Sequence, residues 1–142
     1  MHARSNGSDN TKGKGDRAER WAREWLEQHG FRVVAHNVRG RGGEIDVVAW
    51  QGEVLCFIEV RSRATDRLIK PAATVRHVKQ QRLIQTAALY LQQHFPNGAP
   101  PCRFDVISIV GYGDQARVRH VAGAFTMPVE TGRGRRNPWR PY

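Results

Sequence analysis

The stretch from Gly43 to Arg63, GEIDVVAWQGEVLCFIEVRSR, constrains the fold more than any other part of the chain. It reads as two β-strands joined by a tight turn at Gln51 and Gly52, because two runs rich in Val, Ile, Leu and Phe flank a glycine-containing turn. Side chains on a strand alternate between two faces. With Trp50 paired to Glu53 across the turn, Glu44 lies opposite Glu59 and Asp46 opposite Phe57. Glu44, Asp46, Glu59 and Arg61 then share one face with Val48, Leu55 and Phe57. That face is apolar at one end and ionic at the other. Carboxylates beside an apolar patch are costly unless something compensates them, and a divalent metal ion is the natural counterpart.

The rest of the chain supplies two helices and three more strands. Residues 1–14 are rich in Ser, Asn, Gly and Lys and read as a flexible leader. A helix is expected from about Asp16, which can cap it, to Gln28, with Gly30 ending it and Ala18, Trp21, Ala22, Trp25 and Leu26 as its buried stripe. Phe31 to Asn37 reads as a strand. Val38-Arg39-Gly40-Arg41-Gly42-Gly43 is a basic, glycine-rich loop, either a phosphate cradle built from backbone N–H groups and two arginines or a mobile connection. A polar loop over 63–73 precedes a long helix from Thr74 to His94, with Val75, Val78, Leu83, Ala87, Ala88, Leu91 and Phe95 as its apolar side. Cys102 to Val110 and Arg117 to Val121 read as the last strands. The order predicts an α/β sandwich, a mixed central sheet flanked by helices, spanning 15–126. A basic tail over 127–142, with one run of Gly-Arg-Gly-Arg-Arg and Trp139, can grip nucleic acid loosely or simply be solvated.

The charge balance points to a polyanionic partner: 23 Lys and Arg against 13 acidic residues, a net +10. The leader and the tail carry half of that excess, +2 and +3, and residues 15–127 the remaining +5. No apolar run approaches the ~20 residues of a membrane span, and the polar N-terminus has no apolar core of a secretory signal. Cys56 and Cys102 both fall in strands and are expected to be free thiols in a reducing cytoplasm.

Several pieces in a fixed order carry a family resemblance. They are Gly15 with Glu19, Asn37-Val38-Arg39, Gly43-Glu44-Ile45-Asp46, Phe57-Ile58-Glu59-Val60, Lys79, Ala87 with Tyr90-Leu91, Arg103-Phe104-Asp105-Val106 and Ala124-Phe125. From about Gly15 to Phe125 the chain resembles the YraN family of small bacterial proteins. Those look like the archaeal Holliday junction resolvases of the restriction-endonuclease-like, PD-(D/E)xK superfamily. The resemblance implies a three-layer nuclease fold and a metal-dependent site. Asp46 takes the place of the first motif acid and Glu59 of the second, the Val60 carbonyl is a further metal ligand, and Glu19 matches an acid on the first helix. It implies Mg²⁺ or Mn²⁺ as cofactor, DNA as substrate with branched DNA in view, and a two-fold homodimer. Arg39, Arg41, Arg63 and Lys79 are the expected nucleic-acid contacts.

The motif Lys is replaced here by Arg61. Arginine stabilises phosphate charge through its fork, but it stays protonated and makes a poor base. Lys79 is either a stand-in for that lysine or an exposed helix charge. Glu44 is either an outer ligand or a solvated side chain near the loop. Three functions are compatible with these residues: a metal-dependent nuclease, a nucleic-acid-binding module with weak or lost catalysis, and a protein-interaction adaptor.

Overall fold

The protein is described by a computed structural model over residues 7–63, 77–111 and 113–125, with side chains placed from Asp16 onward in the first segment and from Val78 in the second. Helix α1 spans Gly7–Gln28, followed by strands β1 (Phe31–Gly40), β2 (Gly43–Gln51) and β3 (Val54–Arg63). Helix α2 (His77–His94) leads to β4 (Cys102–Val110), a single 3-10 turn over Gly113–Gln115, and β5 (Arg117–Phe125). The five strands form one sheet in the order β1-β2-β3-β4-β5. β3 and β4 run parallel and every other neighbouring pair is antiparallel. A parallel pair requires a crossover, and α2 lies within it. The expected mixed sheet with flanking helices is what forms.

The helices cover opposite faces. Ala18, Ala22 and Leu26 of α1 pack on Phe31, Val47, Ala49, Cys56, Ile58, Ile107 and Ile109. Leu83, Ala87, Tyr90 and Leu91 of α2 pack on Ile45, Val48, Leu55, Phe57, Phe104 and Val106. The central strands are therefore buried on both sides, which is why β3 and β4 read as nearly continuous apolar runs. Among the described residues no helix is long and apolar enough to cross a membrane. Cys56 and Cys102 are free and buried, and burial pushes both thiols up to about 12.

Several expectations shift. Helix α1 begins at Gly7, so residues 7–14 are helical in backbone and Asp16 lies inside the helix instead of capping it. Trp21 is 38% exposed, because the buried stripe of Ala18, Ala22 and Leu26 is narrow and leaves it on the flank. On α2, Val78 is 60% exposed and Ala88 is exposed, and the stripe runs through Tyr90 instead. β1 extends to Gly40 and β5 to Phe125, beyond the expected ends. The polar loop, the start of the second helix at 74–76 and the tail at 127–142 lie outside the described residues.

The glycine-rich segment 38–43 is an ordered hairpin end and not a free connection. Gly40 pairs with Gly43, so Arg41 and Gly42 form a two-residue hairpin turn, with Gly42 at φ 77°. This hairpin end rests on α2: a Cβ on Gly43 would lie 2.9 Å from the Arg82 carbonyl oxygen, and one on Gly40 would lie 2.8 Å from Thr86 Oγ1. Close backbone approach explains both glycines.

The β2–β3 hairpin closes one residue later than expected. Gln51 pairs with Val54 and Trp50 with Leu55, so Val48, not Asp46, lies opposite Phe57. A two-residue change of partner preserves faces, and Val48, Leu55 and Phe57 do share the α2 side. The alternation then slips at Asp46. Ile45 and Val48, three residues apart, both join the cluster beneath α2, while Val47 faces α1.

Candidate functional site

Backbone pairing between β2 and β3 runs from Gln51–Val54 to Val47–Ile58 and stops there. At the next residue a side chain takes over, as the Val60 backbone N–H donates to Asp46 Oδ2 at 2.8 Å. The slip in the pleat turns Asp46 toward α1, where it meets Glu19. Glu19, Glu44 and Asp46 each offer a carboxylate oxygen, and these oxygens lie within 4.8 Å of one another. Two elements build this trio: α1 carries Glu19, and β2 carries Glu44 and Asp46.

Asn37 of β1 joins them. Carboxylates only accept hydrogen bonds, so the amide is assigned with its nitrogen toward them; in that orientation it donates to Glu19 Oε2 at 2.7 Å and to Glu44 Oε1 at 3.0 Å, and its oxygen lies 3.2 Å from His36 Nδ1. The backbone there is left-handed, with φ 52°.

Charge is poorly balanced around Asp46. Burial is the main reason its carboxyl is pushed up to about 7. The Val60 N–H works in the opposite direction, and the charges of Glu19, Glu59 and Glu44 add to the rise. Glu19 is likewise raised, first by burial and then by Glu44, against hydrogen bonds from Asp46 and Asn37.

Glu59 belongs to a second group on the α2 side. Its side chain is 6% exposed and its Oε1 forms an ion pair with Lys79 Nζ of α2. Arg61 Nε lies 3.6 Å from the same oxygen. Glu59 Oε2 is buried without a hydrogen-bond partner among the described residues. Lys79 is 54% exposed and Arg61 12%, so Lys79 is the cation of this group that solution can reach.

Glu44, Asp46, Glu59 and Arg61 thus do not line one face as strict alternation implies. Glu19, Glu44 and Asp46 gather toward α1, Glu59 and Arg61 meet Lys79, and the Asp46–Val60 hydrogen bond joins the two groups. Val60 contributes its N–H to that link. Arg39 sits opposite Glu44 on β1 and is exposed, and Arg41 is exposed at the hairpin turn. Arg63 ends β3 opposite Val110 and is half-buried. Glu44 proves to be part of the cluster although exposed. Asn37 was not anticipated as a site residue. Its signal was an asparagine in a strand, a residue type depleted there and tolerant of left-handed backbone.

A different buried acid has a structural role. Asp105 of β4 accepts from Arg103 Nε at 2.7 Å and Nη2 at 2.8 Å, from His120 Nε2 at 2.8 Å and from the Gly123 N–H at 3.0 Å. Burial alone would raise this carboxyl, but the bonds from His120, Arg103 and Gly123 outweigh it and hold the group below the usual range. All its lone pairs are engaged, so it has no free oxygen for a ligand.

The profile of the uncharacterised protein family UPF0102 matches residues 18–109, which include Glu19, Asn37, Glu44, Asp46, Glu59 and Lys79. A UPF0102 protein of Enterobacter sp. (strain 638) is 49% identical over 100 residues, covering 68% of this chain and 75% of that protein. A UPF0102 protein of Symbiobacterium thermophilum is 42% identical over 112 residues, covering 78% of this chain and 94% of that one. The UPF0102 protein YraN of Escherichia coli is 46% identical over 104 residues, 71% of this chain and 78% of YraN. With a match spanning most of its sheet and both helices, the chain belongs to the uncharacterised protein family UPF0102, which includes YraN.

Proposed function

We propose that this protein is a divalent-metal-dependent nuclease acting on DNA, with its site built on Asp46. One observation carries the reading: half-buried Asp46 has a carboxylate oxygen within 4.8 Å of those of Glu19 and Glu44, and burial together with the charges of Glu19, Glu59 and Glu44 pushes its carboxyl up to about 7. A half-buried carboxylate among other carboxylates calls for a cation. The residues present fit a hard divalent ion such as Mg²⁺ or Mn²⁺, since the trio offers oxygens within 4.8 Å of one another and oxygen is the donor such ions take. Glu19, Glu44 and Asp46 would hold it, and the unpartnered Glu59 Oε2 is the remaining oxygen in the neighbourhood. Such an ion supplies a Lewis acid that acidifies bound water and offsets developing phosphate charge.

The chain's own residues do the rest. The Val60 N–H fixes the Asp46 carboxylate at the point where the strands part. Glu59 anchors the Lys79 ammonium at the protein surface, where it can meet a phosphate as a point charge. Arg61, mostly buried beside Glu59, supports that charge but cannot take a proton from water. Arg39 and Arg41, exposed at the hairpin end of β1 and β2, extend the positive rim along which a nucleic-acid backbone would run.

The test is cleavage of labelled linear, flapped and branched DNA with Mg²⁺ or Mn²⁺, comparing wild type with Asp46→Ala and Glu59→Ala. Cleavage by the wild type and its loss in both variants is expected. Equal activity in all three would remove the proposal.

A second reading, a DNA-binding module with weak or lost catalysis, is favoured by one observation: Glu59 is committed to Lys79 and Arg61, and Arg61 cannot serve as a base. It expects salt-sensitive DNA binding, no cleavage by wild type, and cleavage gained in Arg61→Lys.

A further inference from the structure

Asn37 is the one residue other than glycine with a positive φ among the described residues. A left-handed backbone at a side-chain-bearing residue is tolerated best by Asn and Asp, and freely by Gly. Its side chain faces two carboxylates, Glu19 on α1 and Glu44 on β2. Glycine would bring no side chain, and an ionised aspartate would bring acceptors to acceptors. Asparagine alone combines the backbone with an amide that has two N–H donors. The two carboxylates, which can only accept, set the nitrogen end of the amide toward themselves and leave its oxygen 3.2 Å from His36 Nδ1.

Nothing else described bridges these two acids. Glu19 is half-buried and Glu44 exposed, so each has room to swing away from the other's charge. A donor placed between them lets both stay near Asp46. The sheet holds that donor in a backbone conformation unfavourable for most residues, a pattern found where local strain serves a site.

We infer that Asn37 is the positioning residue of the acidic site, holding Glu19 and Glu44 together so that with Asp46 they form a ready ligand set for a divalent cation. This rests on the metal-binding reading above. On the neighbouring strand Glu59 keeps one buried oxygen without a hydrogen-bond partner, while Lys79 and Arg61 meet its other oxygen.

The experiment measures Mn²⁺ affinity by electron paramagnetic resonance, and Tm of the metal-free protein, for the full chain and for Asn37→Gly and Asn37→Ala. Glycine takes the left-handed backbone without penalty and alanine does not. Asn37→Gly is expected to keep or raise Tm while weakening Mn²⁺ binding by about 10–100-fold, the usual cost of losing a residue that orients ligands. Asn37→Ala is expected to lose the same affinity with a lower Tm. Those opposite movements would not follow from a purely structural role. Wild-type affinity in Asn37→Gly would overturn the inference, whether or not Asn37→Ala binds. Failure of the wild type itself to bind Mn²⁺ would overturn the metal reading and this inference with it.

Discussion

Asp46 Oδ2 accepts the backbone N–H of Val60 at 2.8 Å at the position where β2 and β3 stop pairing through their backbones. One carboxylate therefore does two things. It satisfies a donor that the sheet leaves free, and it is held next to the strand that carries Glu59. A half-buried acid fixed in this way costs stability when ionised, and the cost is measurable.

Asp46→Asn is expected to stabilise the metal-free protein above neutral pH. The Asp46 carboxyl is raised from 3.8 to about 7 on folding, so the native state binds the proton more tightly than the unfolded chain. Its contribution is fully present below about pH 4 and is lost as pH rises through about 7. The variant keeps an acceptor for Val60 and carries no charge. Denaturant unfolding should show no gain near pH 4 and a gain of roughly 2–4 kcal/mol at pH 8. A constant difference across that range would contradict the assignment.

Divalent-ion affinity should rise with pH. Binding must displace the proton from Asp46, so Mn²⁺ affinity is expected to increase by up to about tenfold per pH unit below neutrality and to level off above it. Calorimetry in buffers of different ionisation enthalpy should detect proton release near pH 6. The slope should flatten in Asp46→Asn.

Asp105 should behave in the opposite sense. Its carboxyl is held down by His120, Arg103 and Gly123 against its own burial, so its stabilisation is present above the ordinary carboxylate range and lost as pH falls below it. Asp105→Ala leaves Arg103 and His120 without their shared acceptor and should cost about 3–5 kcal/mol. Thermal unfolding at neutral pH would show it. Mn²⁺ affinity of the folded variant should be unchanged, since Asp105 lies outside the acidic trio.

Gly43→Ala tests the seating of the β1–β2 hairpin on α2. The added methyl would meet the Arg82 carbonyl oxygen at 2.9 Å and Thr86 Oγ1 at 3.0 Å. The Arg82 oxygen is backbone, and it also accepts from the Thr86 hydroxyl, so neither neighbour gives way easily. A loss of about 1–3 kcal/mol is expected, together with weaker Mn²⁺ binding because Glu44 is the next residue. Gly42→Ala, in open space but at φ 77°, should lose stability through backbone strain alone.

Lys79→Met removes the exposed cation while keeping most of the unbranched side chain. Glu59 is buried and loses its closest cation, with Arg61 Nε left at 3.6 Å, so Tm should fall. DNA affinity should fall, with a shallower dependence on salt because one phosphate contact is gone. Filter binding across a salt series reads both.

Much of the architecture was legible from local chemistry. The period of two in GEIDVVAW and VLCFIEV marked the strands and sorted Val48, Leu55 and Phe57 to one face. That assignment survived a turn displaced by one residue, because the partner shift was two. The helix stripes were read to within a turn. The errors fell on large or small apolar side chains at the stripe edges, such as Trp21, Val78 and Ala88, where burial depends on what lies across the interface.

The acids of the site were also named from the sequence, but their grouping was not. Alternation is a property of a regular strand, and β2 is irregular at Asp46, where Val60 takes a side-chain oxygen in place of a backbone one. No local pattern announces that exchange. The pairing of Glu59 with Lys79 and the meeting of Glu19, Asn37 and Glu44 join elements distant along the chain. Residue types and spacing determined which groups could hold a cation or a phosphate. Only the packing of α1 and α2 on opposite faces of the sheet decided that the acids divide into a cluster on one side and an ion-paired glutamate on the other, because the distance between side chains on separate elements is set by how those elements pack.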